Sequence, residues 1–365
     1  MPESRLHLAV YSDAPEYGGA EQSLGNLLAE LPADIRVTVV ATSEAVVQSV
    51  AARRPEAATV LLPAVRGKRD VRAILHHFSA LRRLRPHIFH ASLWTPWSAQ
   101  YGLLAALATP GVRVVAVEQL PLASQSRAQR LMKRLTSARL AAHVAVGERA
   151  ARLTEQMAGL PPGSVRTVYN GVPAVPAVAP SAAPARRLDG PVIGSFGRLH
   201  EQKGYDVLIR ALASVPDVRL VIVGEGPLRT ELEQLAERLG VGGRVELVGW
   251  RDDARSWLDA FDVFVLPSRF EGFPLSIVEA MLASTPVIAS DVGSVSEAVL
   301  HERTGLLVPP EDPDALAAAI AALMADEERR AELAHAALER ALEQFTSAVM
   351  ARRFSELYAE ILTSH

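Results

Sequence analysis

"DVFVLPSRFEGFPLSIVEA", residues 262–280, contains a complete strand–loop–helix unit. Its first part, Val263 to Leu266, is an unbroken apolar run, as expected of a strand that is buried on both faces of a sheet. Gly272 and Pro274 then break the run, and apolar residues return at helical spacing after them. A strand that leads directly into a helix is the repeating piece of a parallel sheet, so this stretch predicts an α/β fold.

The same alternation extends in both directions along the chain. The other runs that predict strands are "LHLAVYS", "IRVTVVA", "TVLLP", "HIFHA", "VRVVAV" and "AAHVAVG" in the first half, and "VIGSF", "RLVIVGEG", "RVELVG", "PVIAS" and "GLLVPP" in the second. Between the two series lies "GVPAVPAVAPSAAPARRLDGP", whose prolines disfavour helix. The prediction is two Rossmann-like, doubly wound α/β domains that face each other across a cleft, where such folds bind their ligands.

The changes in composition place the domain boundaries. We predict a first domain over residues 1–172, a linker over 173–190 and a second domain over 191–345. The remaining residues, 346–365, carry an apolar stripe at helical spacing, formed by Val349, Phe354, Leu357, Tyr358 and Ile361. This stripe predicts a helix that crosses back to the first domain.

Composition limits the class of protein. The chain has 365 residues and no cysteine, which excludes disulfides and thiolate metal sites. It has no run of 18 apolar residues, and "MPESRLHLAVYS" lacks the basic region and cleavage site of a secretory signal. We therefore expect a cytoplasmic protein.

Charge is distributed unevenly along the sequence. Residues 1–170 carry 20 Lys+Arg against 12 Asp+Glu, and the rest carries 18 against 29. A basic half is consistent with an anionic partner, and it is equally consistent with solvated faces that differ by chance.

The second domain carries charged residues where strands are predicted to end. Arg198 and Lys203 follow "GSFG", which ends in Gly197, and two cations beside the start of a helix suit an anion such as a diphosphate. Glu271 follows the strand of the 262–280 unit, and Glu279 comes eight residues later in the helix. The free amides after Pro274, beginning with Leu275 and Ser276, would form a second anion site.

Taken in order and spacing, these segments resemble the retaining nucleotide-sugar glycosyltransferases of family 4, which have the GT-B fold. The resemblance runs through "GSFGRLHEQKGYDVLIRAL", "LVIVGEGPLRTEL", "ELVGW", the two glutamates and "VIASDVGSVSEAV…TGLLVPPEDPDAL". It implies that Arg198 and Lys203 neutralise the leaving diphosphate, that Glu271 contacts the donor sugar and that Glu279 binds the ribose. It also implies that Gly197, Gly272, Phe273, Pro274, Leu275 and Ser276 line the nucleotide-sugar site, with Trp250 near the base.

In the first domain the resemblance is weaker. Gly18-Gly19 matches the family's glycine loop, which closes over the donor phosphates and sugar. His90, predicted at the end of a strand, and Trp94 fall on the acceptor or sugar side. Gln119 stands where many members have a histidine; it cannot act as a base but can donate a hydrogen bond to a sugar. Glu118 is the obvious substitute base, although strand alternation could point it away from the cleft.

"SQSRAQRLMKRLTSARL" predicts a basic helix, with Arg127, Arg130, Lys133 and Arg134 on one face. In the resembling family such a face often lies on a membrane that carries a lipid-linked acceptor, so a peripheral contact with the inner membrane face is one interpretation. An ordinary solvated helix face is the other.

The sequence also weighs against other functions. Asp312-Pro313-Asp314 has the letters of a metal-binding motif but reads as a helix N-cap, and we predict neither a metal nor a cofactor. The best interpretation is transfer of a sugar from a nucleoside diphosphate, UDP first and GDP second, to an acceptor hydroxyl. A sugar-nucleotide epimerase, a sugar phosphorylase or a non-catalytic binder on the same scaffold stays open, as do the acceptor and the linkage.

Overall fold

The computed structural model describes residues 5–121, 126–174, 190–251 and 253–363. The chain divides into two compact units: unit 1 is Met1–Gly171 with Ser347–His365, and unit 2 is Val172–Thr346. The sequence predicts the corresponding boundaries at 172/173 and 345/346. Most of the predicted linker, residues 175–189, lies outside the described residues.

Unit 1 is built on a parallel sheet with the strand order β3-β2-β1-β4-β5-β6-β7. Its strands are β1 His7–Ser12, β2 Arg36–Ala41, β3 Ala58–Leu61, β4 Ile88–Leu93, β5 Arg113–Glu118, β6 Ala142–Ala145 and β7 Arg166–Thr167. Its helices are α1 Gly19–Glu30, α2 Glu44–Ala51, α3 Val71–Leu84, α4 Gln100–Leu107, α5 Arg127–Ser137, α6 Glu148–Ala158 and α13 Ser347–Thr363. The central strands β1 and β4 are buried along their whole length, as the apolar runs predict.

The last helix, α13, belongs to unit 1 although it follows unit 2 in the sequence. It packs on α1, and the five residues of its predicted apolar stripe are all buried. Burial of this stripe explains why the chain returns to unit 1, because an amphipathic helix needs an apolar partner.

Unit 2 is built on a second parallel sheet with the strand order β10-β9-β8-β11-β12-β13. Its strands are β8 Val192–Phe196, β9 Arg219–Val223, β10 Val245–Gly249, β11 Val263–Leu266, β12 Val287–Ser290 and β13 Leu306–Val308. Its α-helices are α7 Tyr205–Ala213, α8 Arg229–Arg238, α9 Leu275–Leu282, α10 Val295–Ala298, α11 Pro313–Ala325 and α12 Glu327–Gln344, and short 3₁₀ turns cover Glu201–Lys203, Gly242–Arg244 and Ala254–Ala260. Asp312 is the N-cap of α11 and accepts a hydrogen bond from the amide of Ala315 at 2.9 Å, so the N-cap reading of this aspartate is confirmed.

In both sheets the order in which the chain adds strands reverses beside the first strand, so that the next two strands lie on one side of it and the later strands on the other. We call this place the reversal point. The reversal lies between β1 and β4 in unit 1 and between β8 and β11 in unit 2. The loops that follow two such strands diverge and leave room for a ligand at the carboxyl end of the sheet. The predicted fold class, with two parallel α/β domains, is confirmed.

Candidate active site

The charged residues predicted in unit 2 come together at its reversal point. β8 ends at Phe196 and β11 at Leu266, and the two strands are neighbours in the sheet. The loop after β8 carries Lys203 and the loop after β11 carries Glu271, so both side chains lie at the carboxyl end of the sheet. This is the position at which doubly wound folds bind their ligands.

Lys203 and Glu271 form an ion pair across the reversal point. Lys203 Nζ lies 2.6 Å from Glu271 Oε1, and the Ser268 hydroxyl donates a hydrogen bond to the same oxygen at 2.7 Å. The lysine side chain is 18% exposed and the glutamate 7%, so the pair is held firmly but not sealed. Both described contacts use Oε1, which leaves Oε2 available, and an ammonium has two further hydrogens to donate.

Two glycines allow the loops around this pair to pack closely. Gly204 has a φ of 63°, and a Cβ there would collide with the carbonyl oxygen of Pro267. Gly293 has a φ of 53°, and a Cβ there would collide with the carbonyl oxygen of Glu271. Any other residue at either position would push the loops apart, because a side chain adds both strain and a clash.

The helix α9 begins at Leu275, four residues after Glu271. Its N-cap is Pro274, which provides no side-chain cap, so the first backbone N–H groups are uncapped, as an anion site requires. Glu279 lies one turn into α9 and is half-buried. The Phe273 ring is buried against Phe345, with 5.1 Å between ring centroids, so only its backbone can reach a ligand.

The remaining predicted residues of unit 2 flank this centre. Gly197 is adjacent to Lys203, since a Cβ on Gly197 would lie 3.3 Å from Lys203 Cε, and Arg198 next to it is exposed. Trp250 follows the edge strand β10, and its side chain is 67% exposed. An aromatic ring that is this exposed can stack on a planar base.

In unit 1 the predicted glycine loop is fastened by a carboxylate. Gly18 is the N-cap of α1, and its amide donates a hydrogen bond to Glu21 Oε2 at 3.2 Å. Glu21 Oε1 accepts a hydrogen bond from the Ser12 hydroxyl at 2.8 Å, at the end of β1. Burial raises the pKa of Glu21, and these two hydrogen bonds oppose that rise. Glu21 was not predicted from the sequence, although a glutamate three residues after an N-cap is the spacing of a capping box.

Trp94 lies at the reversal point of unit 1, directly after β4. Its indole N–H donates to Asp13 Oδ1 at 3.1 Å, and Asp13 Oδ2 accepts from the amide of Ala99 at 2.7 Å. Asp13 follows β1, so this contact joins the two loops that flank the reversal point. Burial raises the pKa of Asp13, a residue that was not predicted from the sequence either.

The prediction that His90 ends its strand is wrong. β4 continues to Leu93, so His90 lies in mid-strand and is buried. Its Nδ1 lies 2.7 Å from the Tyr358 hydroxyl of α13, and burial lowers the pKa of His90 to about 3. The described contacts tie His90 to the packing of α13 rather than to a ligand at the carboxyl end of the sheet.

Gln119 does follow its strand, and its side chain is held in place. Asn170 Nδ2 donates to Gln119 Oε1 at 3.0 Å, and Asn170 Oδ1 accepts from the Ser23 hydroxyl of α1 at 2.6 Å. With Oε1 occupied, Gln119 has its amide N–H₂ group left to offer. It can therefore donate a hydrogen bond but cannot take up a proton.

Glu118 is sealed inside unit 1, and this overturns the predicted role of Lys133. Lys133 points inward and forms an ion pair with Glu118 Oε1; it also donates to the carbonyl oxygen of Pro96 at 3.1 Å. His143 Nε2 lies 2.8 Å from the same carboxylate oxygen. Burial alone would raise the pKa of Glu118, but Lys133 and His143 outweigh it and hold the pKa below its ordinary value. Lys133 is thus absent from the basic face, because a buried carboxylate requires a counter-charge.

The outer face of α5 mixes cations and apolar groups. Arg127, Arg130 and Arg134 are exposed, as the sequence predicts. The exposed fractions of Leu131, Met132 and Leu135 are 57%, 48% and 60%. In this helix the inward residues are Lys133 and Thr136, so polar groups face in and large apolar groups face out.

The described residues contain neither a metal-binding cluster nor a membrane-spanning helix. Within residues 5–121, 126–174, 190–251 and 253–363, no group of three or more His, Asp or Glu side chains is arranged to hold a metal ion. Over the same ranges, none of the helices has the length and apolar character needed to cross a bilayer.

Comparison with known families assigns both halves of the chain. Residues 17–175 match the model described as Glycosyltransferase Family 4, and residues 190–326 match the model described as Glycosyl transferases group 1. Among solved structures, HepE of Anabaena in complex with UDP-glucose has the same fold, with a TM-score of 0.85 over 97% of this chain and 100% of that one, at 22% identity.

Curated relatives align with part of the chain. The lipopolysaccharide core biosynthesis glycosyltransferase LpsE of Rhizobium meliloti is 37% identical over 47% of this chain and 50% of its own length. A D-inositol 3-phosphate glycosyltransferase of Xylanimonas cellulosilytica is 42% identical over 40% of this chain and 37% of its own length. The chain thus spans about half the length, or less, of the curated relatives it matches.

Proposed function

Because the chain belongs to the glycosyltransferases of family 4, we propose that it transfers a sugar from a nucleoside diphosphate sugar to an acceptor hydroxyl. The observation that carries this proposal is the Lys203–Glu271 pair, which lies at the reversal point of unit 2 beside the uncapped start of α9. Cations and free amides bind a diphosphate, and a carboxylate binds sugar hydroxyls.

The proposed roles follow from the geometry of each group. Lys203 and Arg198 neutralise the diphosphate, to which Lys203 can donate while it remains bonded to Glu271. Glu271 Oε2 accepts a hydrogen bond from a sugar hydroxyl, and Glu279 accepts from the ribose. The amides of Leu275 and Ser276 bind phosphate oxygens at the start of α9.

We also propose that transfer retains the anomeric configuration. The acceptor oxygen bonds to the anomeric carbon as the bond from that carbon to the phosphate oxygen breaks, and the departing phosphate takes the acceptor proton. In unit 1, neither of the two residues considered for the place of a base can supply one. Gln119 cannot titrate, and Glu118 is sealed by Lys133 and His143, so neither competes with the phosphate for the proton.

The proposed charge stabilisation needs no metal ion. Preorganised cations and amides stabilise the developing charge of a leaving diphosphate directly. UDP is the first candidate for the donor nucleotide and GDP the second. Support for UDP comes from HepE, which has the same fold and was solved with UDP and with UDP-glucose.

Release of nucleotide from the donor tests the reaction without a known acceptor, because water can replace the acceptor hydroxyl. UDP-glucose and GDP-mannose are each incubated with the protein in EDTA, and phosphorus and proton NMR follow the nucleotide and the first-formed anomer. We expect one donor to release its nucleotide with the sugar initially in the α configuration. Glu271→Gln should abolish release, and Glu339→Gln, an exposed carboxylate of α12, should not.

Other outcomes would change the proposal. The β anomer as first product would contradict retention, and activity that is lost in EDTA and restored by manganese would contradict a metal-free mechanism. Tight donor binding without any turnover would favour a non-catalytic sugar-nucleotide binder.

For the acceptor side, we propose that α5 rests on an anionic membrane surface. Arg127, Arg130 and Arg134 would each contribute about 1 kcal/mol near anionic lipid, and the exposed Leu131 and Leu135 would enter the headgroup region. Sedimentation with phosphatidylglycerol vesicles tests this. Changing the three arginines to Glu should abolish pelleting, whereas the same change at Arg210, Arg238 and Arg303 of unit 2 should not; equal pelleting of all proteins would refute the contact.

A further inference from the structure

Arg269 connects the two loops that carry Lys203 and Glu271. It lies in the loop after β11, two residues before Glu271, and its side chain is 22% exposed. Its backbone amide donates to the carbonyl oxygen of Gln202 at 2.8 Å, and its Nη1 donates to the carbonyl oxygen of Glu201 at 2.9 Å. Both acceptors belong to the 3₁₀ turn Glu201–Lys203, which ends in Lys203 itself.

The same guanidinium is also fixed to the helix that follows this turn. Nη1 and Nη2 of Arg269 donate to the two carboxylate oxygens of Asp206, in the first turn of α7, at 2.9 and 2.8 Å. Nε donates to Glu311 at 3.1 Å. A bidentate guanidinium–carboxylate pair fixes orientation as well as distance.

Electrostatics indicate that this pair is tight. Burial alone would raise the pKa of Asp206, but the hydrogen bonds and charge of Arg269 outweigh it and hold the pKa below its ordinary value. Its bonds to Asp206 in turn raise the pKa of Arg269. With two carboxylates already neutralising it and most of its N–H groups used, Arg269 is poorly suited to bind a phosphate itself.

We propose that Arg269 is a positioning residue for the donor diphosphate. Arg269 fixes the position of the turn that ends in Lys203 relative to the loop that carries Glu271. The ammonium of Lys203, rather than the guanidinium of Arg269, then contacts the diphosphate. This inference rests on the proposed function of the Lys203–Glu271 pair, and it goes beyond that proposal by naming the residue that sets the pair's geometry.

A flexible lysine benefits from such support, because its side chain carries several rotatable bonds and a small misplacement is costly. If the turn is released, Lys203 can keep its contact with Glu271 and still lie too far from the phosphates. The loss should therefore fall on the diphosphate part of the ligand and spare the nucleoside, whose proposed partner, Glu279, is on α9.

The test compares Arg269→Ala with a matched control, Arg244→Ala. Arg244 also ties backbone together in unit 2: its guanidinium donates to the carbonyl oxygens of Leu212, Val215 and Val218 at 2.8–3.1 Å, in the segment that leads from the end of α7 towards β9. Calorimetry measures the affinities of UDP, GDP and the two nucleosides for each variant. For Arg269→Ala we expect diphosphate affinity to fall about tenfold and turnover about a hundredfold, with nucleoside affinity unchanged.

Hydrogen exchange of the 198–206 segment provides a readout that needs no ligand. Amides of this segment should exchange faster in Arg269→Ala than in the wild type or in Arg244→Ala. Arg269→Lys keeps the positive charge but loses the bidentate guanidinium contact with Asp206. Its exchange and diphosphate affinity should therefore remain closer to those of the alanine variant than to those of the wild type.

Each outcome decides a separate point. Unchanged exchange would overturn the positioning role, whatever the ligand. Faster exchange with unchanged diphosphate affinity, or with an equal loss of nucleoside affinity, would overturn the link to the diphosphate. A wild-type protein that binds neither nucleotide would refute the proposed function instead, and exchange would still decide whether Arg269 positions the turn.

Discussion

Two Lys–Glu pairs occupy the carboxyl ends of the two sheets, and they differ in burial. The chain has only three lysines among its 38 cations, and two of them are in these pairs. In unit 1, Lys133 and Glu118 have side chains that are 6% and 1% exposed, and His143 closes the cluster. In unit 2, Lys203 and Glu271 are 18% and 7% exposed.

The difference in burial indicates a structural role for the pair in unit 1 and a ligand-binding role for the pair in unit 2. A sealed pair cannot exchange partners without unfolding its surroundings, so Lys133 serves to anchor α5 to the sheet. The pair in unit 2 is open enough for an anion to approach the ammonium. Substitutions in the sealed pair should therefore lower the free energy of unfolding, and substitutions in the open pair should lower the rate of turnover.

The largest effect is expected from Lys133→Met. It leaves Glu118 buried without its main counter-charge, which should cost about 3–5 kcal/mol in the free energy of unfolding, measured by urea denaturation. The double variant Lys133→Met/Glu118→Gln should recover much of this loss. A single variant as stable as the wild type would show that the pair is not sealed.

The next effect is expected from Lys203→Gln, which removes the charge with little change in length. The activation free energy for turnover of the preferred donor should rise by about 3 kcal/mol, which lowers the rate by a factor of at least a hundred. The unfolding midpoint should stay near that of the wild type. Lys68→Gln, at an exposed position in unit 1, is the control. Activity within tenfold of the wild type would remove Lys203 from the mechanism.

A smaller effect is expected from the sealed His90. Since burial lowers its pKa from 6.5 to about 3, protonation favours the unfolded state as the pH falls below 6.5. Stability that is fully present above that pH should decrease by about 2 kcal/mol between pH 7 and pH 5. Urea denaturation at pH 7 and at pH 5 gives the free energy of unfolding at each pH. In His90→Gln this free energy should lose about 2 kcal/mol less than in the wild type between the two pH values, and donor turnover at pH 7 should be unchanged. Equal pH dependence in both proteins would contradict its burial as a neutral ring.

The fold and the meeting of Lys203 with Glu271 could be predicted from sequence for one physical reason. Both residues follow buried apolar runs, and parallel strands bring their carboxyl ends to one edge of the sheet. The same reasoning failed for His90 because β4 runs three residues further, to Leu93, and a mid-strand side chain points into a packed layer instead.

Contacts between distant segments could not be predicted in this way. Helical spacing groups Lys133 with its neighbouring arginines, but only the buried Glu118, fifteen residues earlier, decides which side chain turns inward. Arg269 lies between residues already singled out, yet its partners Glu201 and Asp206 are 68 and 63 residues away. Without a local pattern, nothing in the sequence marks it as a support for Lys203.

The central claim is that the open pair and α9 form a nucleoside diphosphate site, and calorimetry tests it most directly. UDP and GDP are titrated in EDTA into the wild type, Glu279→Ala and the control Glu339→Ala. We predict that one nucleotide binds the wild type and the control equally, and binds Glu279→Ala about tenfold more weakly, as expected for the loss of a charged hydrogen bond to the ribose. Absence of binding by either nucleotide, or equal affinity in all three proteins, would contradict the account.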